Sequence, residues 1–123
     1  MANIADHKKG QTWNGFEVTL TRETAPNSGI QEPIDLTGAR IVSDFKDEAT
    51  GVSRFTFDTE DNSNHDITMP NATQGKFVYM PVLNMNYPAR NYVFDYKILF
   101  PNGTRLVSNV KNFRITQTVT STI

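Results

Sequence analysis

Two histidines and a cluster of acids are the side chains in this sequence that could carry acid–base or metal chemistry. His65 is followed directly by Asp66, and His7 lies in a polar N-terminal segment. A hydrolase triad needs a histidine that faces both an acid and a nucleophile. Neighbouring residues of a strand point to opposite faces, so His65 and Asp66 are not arranged as such a pair. The pattern favours solvated polar segments, and we predict no catalytic residue and no enzyme activity.

Residues 58–66 carry closely spaced oxygen-bearing side chains that loosely resemble a calcium-binding loop. They are Asp58, Glu60, Asp61, Asn62, Asn64 and Asp66. The segment lacks the glycine and the closing glutamate of the EF-hand pattern. We therefore predict a solvated hairpin, assign no metal or cofactor, and leave weak calcium binding open.

The stretch EPIDLTGARIVSDF, residues 32–45, raises the question of whether Asp35 has a chemical role. Alternation across residues 34–37 predicts a short buried strand in which Asp35 points outward. Gly38 then permits a kink before a second strand. Acids at such positions commonly stabilise turns, so we interpret Asp35 as a turn residue and a candidate interface residue.

Two aromatic residues, Trp13 and Tyr87, lie outside the regular alternation of apolar residues. Tryptophan and tyrosine are enriched at protein interfaces, so we predict that these two are surface anchors. The aromatic residues that follow the two-residue period are predicted to be core, namely Phe16, Phe55, Phe57, Tyr92, Phe94 and Tyr96.

The composition limits the classes of function. The chain has 123 residues, which suits one domain, and no cysteine, which excludes thiolate catalysis and cysteine-ligated metal sites. Its 12 basic and 13 acidic residues give a net charge of −1. Without a basic excess we expect no nucleic-acid partner. We see no apolar segment long enough for a signal peptide or a membrane span, and expect no membrane partner.

The elements that must position these residues are β-strands. Apolar residues recur with period two, and Val, Ile, Thr, Phe and Tyr dominate the runs, which is typical of half-buried strands. No window predicts an amphipathic helix. The predicted strands cover residues 12–22, 34–37, 39–46, 52–59, 66–69, 76–81, 91–100 and 105–119, of which 34–37 is short and the last is either continuous or split in two.

The turns support an antiparallel arrangement of these strands. Pro101-Asn102-Gly103 predicts a hairpin, the residues around Gly75 predict another turn, and residues 82–87 between two prolines predict a loop or a short helical turn. We predict an all-β fold, an antiparallel immunoglobulin-like β-sandwich of about seven to eight strands. It forms a single domain over residues 13–123, preceded by a flexible N-terminal arm, residues 1–12, that is either mobile or an edge element. A small closed barrel is the structural alternative.

The order of these pieces resembles the small β-sandwich domain of tailed-phage virion proteins. It is similar to the N-terminal domain of the upper baseplate protein of siphophages. The resemblance rests on Asp35-Leu36-Thr37-Gly38, on the strand Tyr92-Val93-Phe94-Asp95-Tyr96, on Gly103 in the next turn and on the closing Val119-Thr120. The chain departs from the family where glycines commonly occur, at residues 89–91 and 109–110.

The resemblance implies a structural protein of a phage particle, a tail or baseplate adaptor. Its partners would be other virion proteins or further copies of itself in a symmetric assembly, and it would be made in the host cytoplasm and located in the virion. A head-associated role, as a decoration, head-fibre anchor or neck protein, is the alternative on the same fold. A carbohydrate-binding module that uses Trp13 and Tyr87 is the alternative from another functional class.

Overall fold

A computed structural model describes residues 7–60 and 65–117 of the chain. Within these ranges there are twelve strands and one 3₁₀ turn, Ala72–Gln74. The strands are β1 His7–Lys8, β2 Phe16–Thr19, β3 Thr21–Glu23, β4 Gln31–Pro33, β5 Arg40–Asp47, β6 Ser53–Asp58, β7 His65–Thr68, β8 Lys76–Tyr79, β9 Asn91–Phe94, β10 Lys97–Leu99, β11 Arg105–Val107 and β12 Lys111–Thr116.

Ten of the strands form one curled sheet, and β3 and β4 form a separate hairpin. The main order is β1-β12-β9-β5-β6-β7-β8-β2, with β10 attached to β5 and β11 attached to β10. The sheet folds over on itself, so that the ring of Tyr79 on β8 lies 6.4 Å from Phe45 on β5 and 6.2 Å from Phe94 on β9. The predicted all-β sandwich is confirmed.

A hydrogen-bond relay joins the two layers of the sandwich. The hydroxyl of Tyr79 donates to Oγ of Ser43 at 2.9 Å, and the Ser43 hydroxyl donates to the backbone oxygen of Asp95 at 2.7 Å. Tyr79 and Ser43 are both fully buried. Because buried hydroxyl groups need partners, this relay satisfies polar groups that the aromatic core would otherwise leave unpaired. Burial also raises the pKa of Tyr79.

The strand count exceeds the prediction because long runs are interrupted. The predicted strand 91–100 becomes β9 and β10, yet both keep one register against β5, since Phe94 pairs with Phe45 and Lys97 with Val42. The predicted strand 105–119 becomes β11 and β12. Between them, residues 108–110 face only residues 95–96, which is a bulge-like shift. Residues 118–119 lie outside the described residues.

The predicted strands at 12–22 and 34–37 are corrected by the structure. The first divides at Leu20, whose amide donates to the carbonyl of Gly75 and whose carbonyl accepts from the amide of Ile34. The second is wrong: the strand lies earlier, in β4, and Leu36 is buried from within a turn. Apolar alternation alone did not distinguish a buried turn residue from a strand residue.

The pairing of β6 with β7 corrects the predicted hairpin at residues 58–66. Phe57 lies opposite His65 and Asp58 opposite Asp66 in a parallel register, whereas a hairpin would pair the strands in antiparallel fashion. The alternation of apolar and polar residues indicates which face of the sheet a residue occupies. It does not indicate whether the neighbouring strand runs parallel or antiparallel. Residues 61–64 of this connection lie outside the described residues.

The N-terminal segment is an edge element over its described part, residues 7–12. β1 pairs in parallel with β12, His7 opposite Ile115. The Lys9 amide donates to the carbonyl of Thr116, and the Gly10 amide to that of Met85. His7 is buried against the ring of Phe113. The predicted boundary at residue 12 is therefore wrong, because these contacts belong to the sandwich.

The predicted turns and the loop between the two prolines are confirmed. The Gly103 amide donates to the carbonyl of Phe100 within the β10–β11 hairpin, and the 3₁₀ turn ends at Gly75. Residues 82–87 form a loop with a single bridge, between Val82 and Trp13. Met85 anchors this loop because it is fully buried.

Candidate functional site

Trp13 is a core residue, so its predicted role as a surface anchor is wrong. Only 6% of the residue is exposed, and its ring packs edge-on against Phe57 at 5.3 Å. Two backbone hydrogen bonds with Val82, each 2.8 Å, fix it between the layers. The buried position of Trp13 was not predictable from periodicity, because a single bridge pair leaves no periodic pattern.

Tyr87 is half-buried and attaches the loop between the prolines to the sheet. Its ring stacks on Phe55 with centroids 4.2 Å apart, and its hydroxyl lies 2.7 Å from Nε2 of His65. Burial raises the pKa of Tyr87. These contacts give Tyr87 an internal structural role, and a role at an interface stays a prediction for the part of the side chain that remains exposed.

His65 and Asp66 occupy different environments on β7. The His65 ring packs 5.0 Å from that of Phe57, whereas Asp66 is exposed. Burial lowers the pKa of His65, and the nearby charge of Asp66 opposes this effect only in part. The hydrogen-bond partner of the imidazole is the Tyr87 hydroxyl rather than an acid. This arrangement agrees with the predicted separation of the two side chains across the strand.

Asp35 stabilises a turn, as predicted. Its Oδ1 accepts hydrogen bonds from the hydroxyl of Thr37 at 2.6 Å and from the Thr37 amide at 2.9 Å. These two bonds, the hydroxyl first, hold the pKa of Asp35 below its usual range. Asp35 is exposed, and its role at an interface stays a prediction.

The acids of the loosely calcium-like segment are described only in part. Arg40 binds Asp58 through its Nη2 at 2.8 Å and lies 3.6 Å from Glu60 through its Nε. Residues 61–64 carry three of the six candidate ligands and are outside the described residues. Across residues 7–60 and 65–117, no group of three or more His, Cys, Asp or Glu could hold a metal ion.

Asp47 is a buried carboxylate that sequence reasoning missed. Its side chain is 2% exposed and lies 2.8 Å from Nη1 of Arg90 and 3.6 Å from Nη2 of Arg54. The Ala49 amide donates to its other oxygen at 2.9 Å. The burial of Asp47 could have been predicted from the two-residue alternation of β5, because Asp47 follows Phe45 in the series of inward-facing residues. It ties the loop before β9 to the end of β5.

Removal of the Arg90 charge should weaken the domain in a pH-dependent way. Burial acts to raise the pKa of Asp47, but the Ala49 amide, Arg90 and Arg54 together hold it below the ordinary value of 3.8. A lowered pKa gives stability that is present above the unfolded-state pKa and is lost as pH falls through the folded-state pKa. Arg90→Gln should therefore lower the urea midpoint at pH 7, and the difference from wild type should shrink below pH 3.8.

The matched control for this prediction is Arg22→Gln, which removes an arginine from an exposed ion pair with Glu32. Exposed pairs contribute little, so we expect a small effect of Arg22→Gln at either pH. An Arg90→Gln effect of equal size at pH 7 and at pH 2.5 would contradict the assigned role of Asp47.

Apolar side chains are exposed at several loops and at one open sheet edge. The large ones are Ile30, Val52, Leu83, Leu99, Val107 and Val110. Leu99 and Val107 share the outer face of the β10–β11 hairpin, because Leu99 pairs with Arg105 and Lys97 with Val107. Single exposed apolar residues are normal, but these two lie on one face beside the open edge of β11, which makes this face a candidate contact surface.

The described part of the chain contains no helix that is long and apolar enough to cross a membrane.

Comparison with known proteins finds a likeness in structure but none in sequence. No protein-family model and no curated protein matches the sequence. Among solved structures, CopC from Methylosinus trichosporium OB3b is similar with a TM-score of 0.49 and 9% sequence identity, over 97% of this chain and 91% of that chain. A likeness of this size does not bear on what the chain does.

Proposed function

We propose that this chain is a non-enzymatic structural protein of a tailed-phage particle that acts as a tail or baseplate adaptor through protein–protein contacts. The observation that supports a contact role is the outer face of the β10–β11 hairpin, where Leu99 and Val107 are 40% and 56% exposed beside the open edge of β11. The assignment to a phage particle rests on the resemblance described above.

The acidic and histidine side chains that could take part in acid–base chemistry support the proposal of a non-enzymatic role, because they make hydrogen bonds and ion pairs that stabilise the fold. Asp35 closes a turn, His65 bonds to Tyr87, and Asp47 binds Arg90. Near-zero net charge suits dense assembly, since neighbouring copies repel one another little. In this role the chain is made in the host cytoplasm and is located in the virion.

The two alternatives are affected differently by the structure. The head-associated role uses the same surfaces and stays the alternative location. The carbohydrate-binding module loses one of its two proposed aromatic platforms, because Trp13 is buried. The other, Tyr87, is half-buried and stacks on Phe55.

Quantitative mass spectrometry of gradient-purified particles tests whether the chain is a structural component. We expect a constant number of copies per particle, retained through salt washes and through repeated gradients. A soluble host enzyme serves as the control, because its level should fall at each step. Loss of the chain at the rate of the host enzyme would contradict the proposal, and binding to an oligosaccharide array would then favour the carbohydrate-binding module.

A further inference from the structure

The outer side of β11 is an open sheet edge with two outward-facing backbone positions. The Phe100 amide donates to the carbonyl of Thr104, and the Ser108 amide donates to that of Tyr96. Antiparallel ladders alternate, so Thr104, Leu106 and Ser108 turn their backbone groups toward β10, and Arg105 and Val107 turn theirs away. Among the described strands, β11 pairs only with β10.

The side chains at this edge follow the usual protection of an open strand only in part. Natural edges are commonly blunted by charges, prolines or bulges. Here Arg105 is charged and a bulge follows at residues 108–110, but Val107 and its neighbour Leu99 are exposed apolar residues on the same outer face. The edge is therefore open for a short, defined length.

We propose that β11 pairs in antiparallel fashion with β11 of a second copy of this chain, across a two-fold axis at Leu106. In this register Arg105 of one copy lies opposite Val107 of the other, and both positions have outward-facing backbone groups. Four backbone hydrogen bonds then form, two from each Arg105–Val107 pair. The sheets of the two copies become one continuous sheet, which is the recognition mode of strand addition.

Charge selects this register among the self-pairings available to β11. A pair centred on Arg105 would place two arginines directly opposite each other, which destabilises a sheet. A pair centred on Val107 would bring the irregular residues 108–110 into the ladder. The register centred on Leu106 avoids both, because each arginine faces a valine. A self-complementary patch of this kind is what a two-fold dimer requires.

This inference rests on the proposed contact function and names a second copy as its partner. The β11 pairing and the proposed function are tested independently, because the dimer is measured on the purified chain and the proposed function on virus particles. A dimer from a chain that is absent from particles would overturn the proposed function and leave the pairing intact.

Sedimentation velocity over a range of concentrations tests the pairing on the purified full chain. We expect a reversible monomer–dimer equilibrium, and we expect Val107→Lys to raise the dimer dissociation constant at least about tenfold, because each new lysine lies opposite Arg105 of the other copy. Val107 is 56% exposed, so the variant should keep the unfolding midpoint of the wild type. Ile30→Lys is the matched control, since Ile30 is 64% exposed on a separate loop.

A cysteine cross-link tests the register directly. The chain has no cysteine, so Leu106→Cys supplies a single thiol. Residues opposite each other in a non-hydrogen-bonded pair have Cα atoms about 4.5 Å apart, which is within the range of a disulfide. We expect rapid formation of a covalent dimer from Leu106→Cys and slow formation from Ile30→Cys. A wild-type chain that is monomeric at every concentration, a dimer that Val107→Lys leaves intact, or equal cross-linking of the two cysteine variants would overturn the pairing.

Discussion

Gly15→Ala is expected to destabilise the domain by at least about 3 kcal/mol, at the upper end of what single substitutions do. Gly15 has a φ of +70°, and a Cβ atom there would lie 1.9 Å from the carbonyl oxygen of Tyr79. That carbonyl belongs to β8, which pairs with β2 directly after Gly15. The new methyl group would have to push β2 and β8 apart, because neither it nor the backbone can rotate away.

Gly51→Ala is the matched control for Gly15→Ala. Gly51 has nearly the same φ, +72°, but nothing lies within 4 Å of the added Cβ. Gly51→Ala should lower the free energy of unfolding only by the cost of placing an alanine in the left-handed backbone conformation, about 1–2 kcal/mol. Urea unfolding monitored by circular dichroism measures both changes. Equal midpoints for the two variants would show that the approach of Tyr79 to Gly15 is not as close as described.

Trp13→Ala is expected to cost about 3–5 kcal/mol, the range for removing a large aromatic side chain from a core. Trp13 is 6% exposed, and its ring packs against Phe57 on β6 and Phe113 on β12. It is also the single tryptophan of the chain, so its fluorescence reports directly on the same site. We expect a blue-shifted emission in the native protein that shifts to the red on unfolding.

Leu83→Ala is the control that separates a core role from a surface role. Leu83 is 82% exposed, and loss of its side chain should change stability by no more than about 0.5 kcal/mol. A Trp13→Ala variant as stable as Leu83→Ala, with red-shifted native emission in the parent protein, would restore Trp13 as a surface anchor. Calorimetric unfolding of the three proteins provides the comparison.

The fold class was predictable because buried apolar residues recur at every second position of the strands. The hairpin at Asn102-Gly103 was predictable for a local reason, since the turn depends on its own residues. The direction of pairing between β6 and β7 was not, because side-chain alternation is the same for parallel and antiparallel neighbours. The divisions of the predicted strands 12–22 and 91–100 were also missed. At the bulge that divides 105–119, the Tyr96 amide donates to Oγ of Ser108, a residue of another predicted strand.

The candidate sites were predictable where the chemistry is local. Asp35 bonds to Thr37, two residues away, and sequence alone indicated this turn. Trp13 was misplaced because its environment comes from distant parts of the chain, among them Val82 and Phe113. Asp47 was overlooked although it occupies an inward position of β5, where an acid requires a partner such as Arg90.

Immunogold electron microscopy of intact particles, with antibody raised against this chain, tests the proposed adaptor role most directly. Disrupted particles serve as the control for access of the antibody to its epitope. We predict gold at the tail tip, in keeping with a tail or baseplate adaptor. Gold over the head or at the neck would contradict that location and favour the head-associated role, and an unlabelled particle whose disrupted form is also unlabelled would contradict a place in the virion.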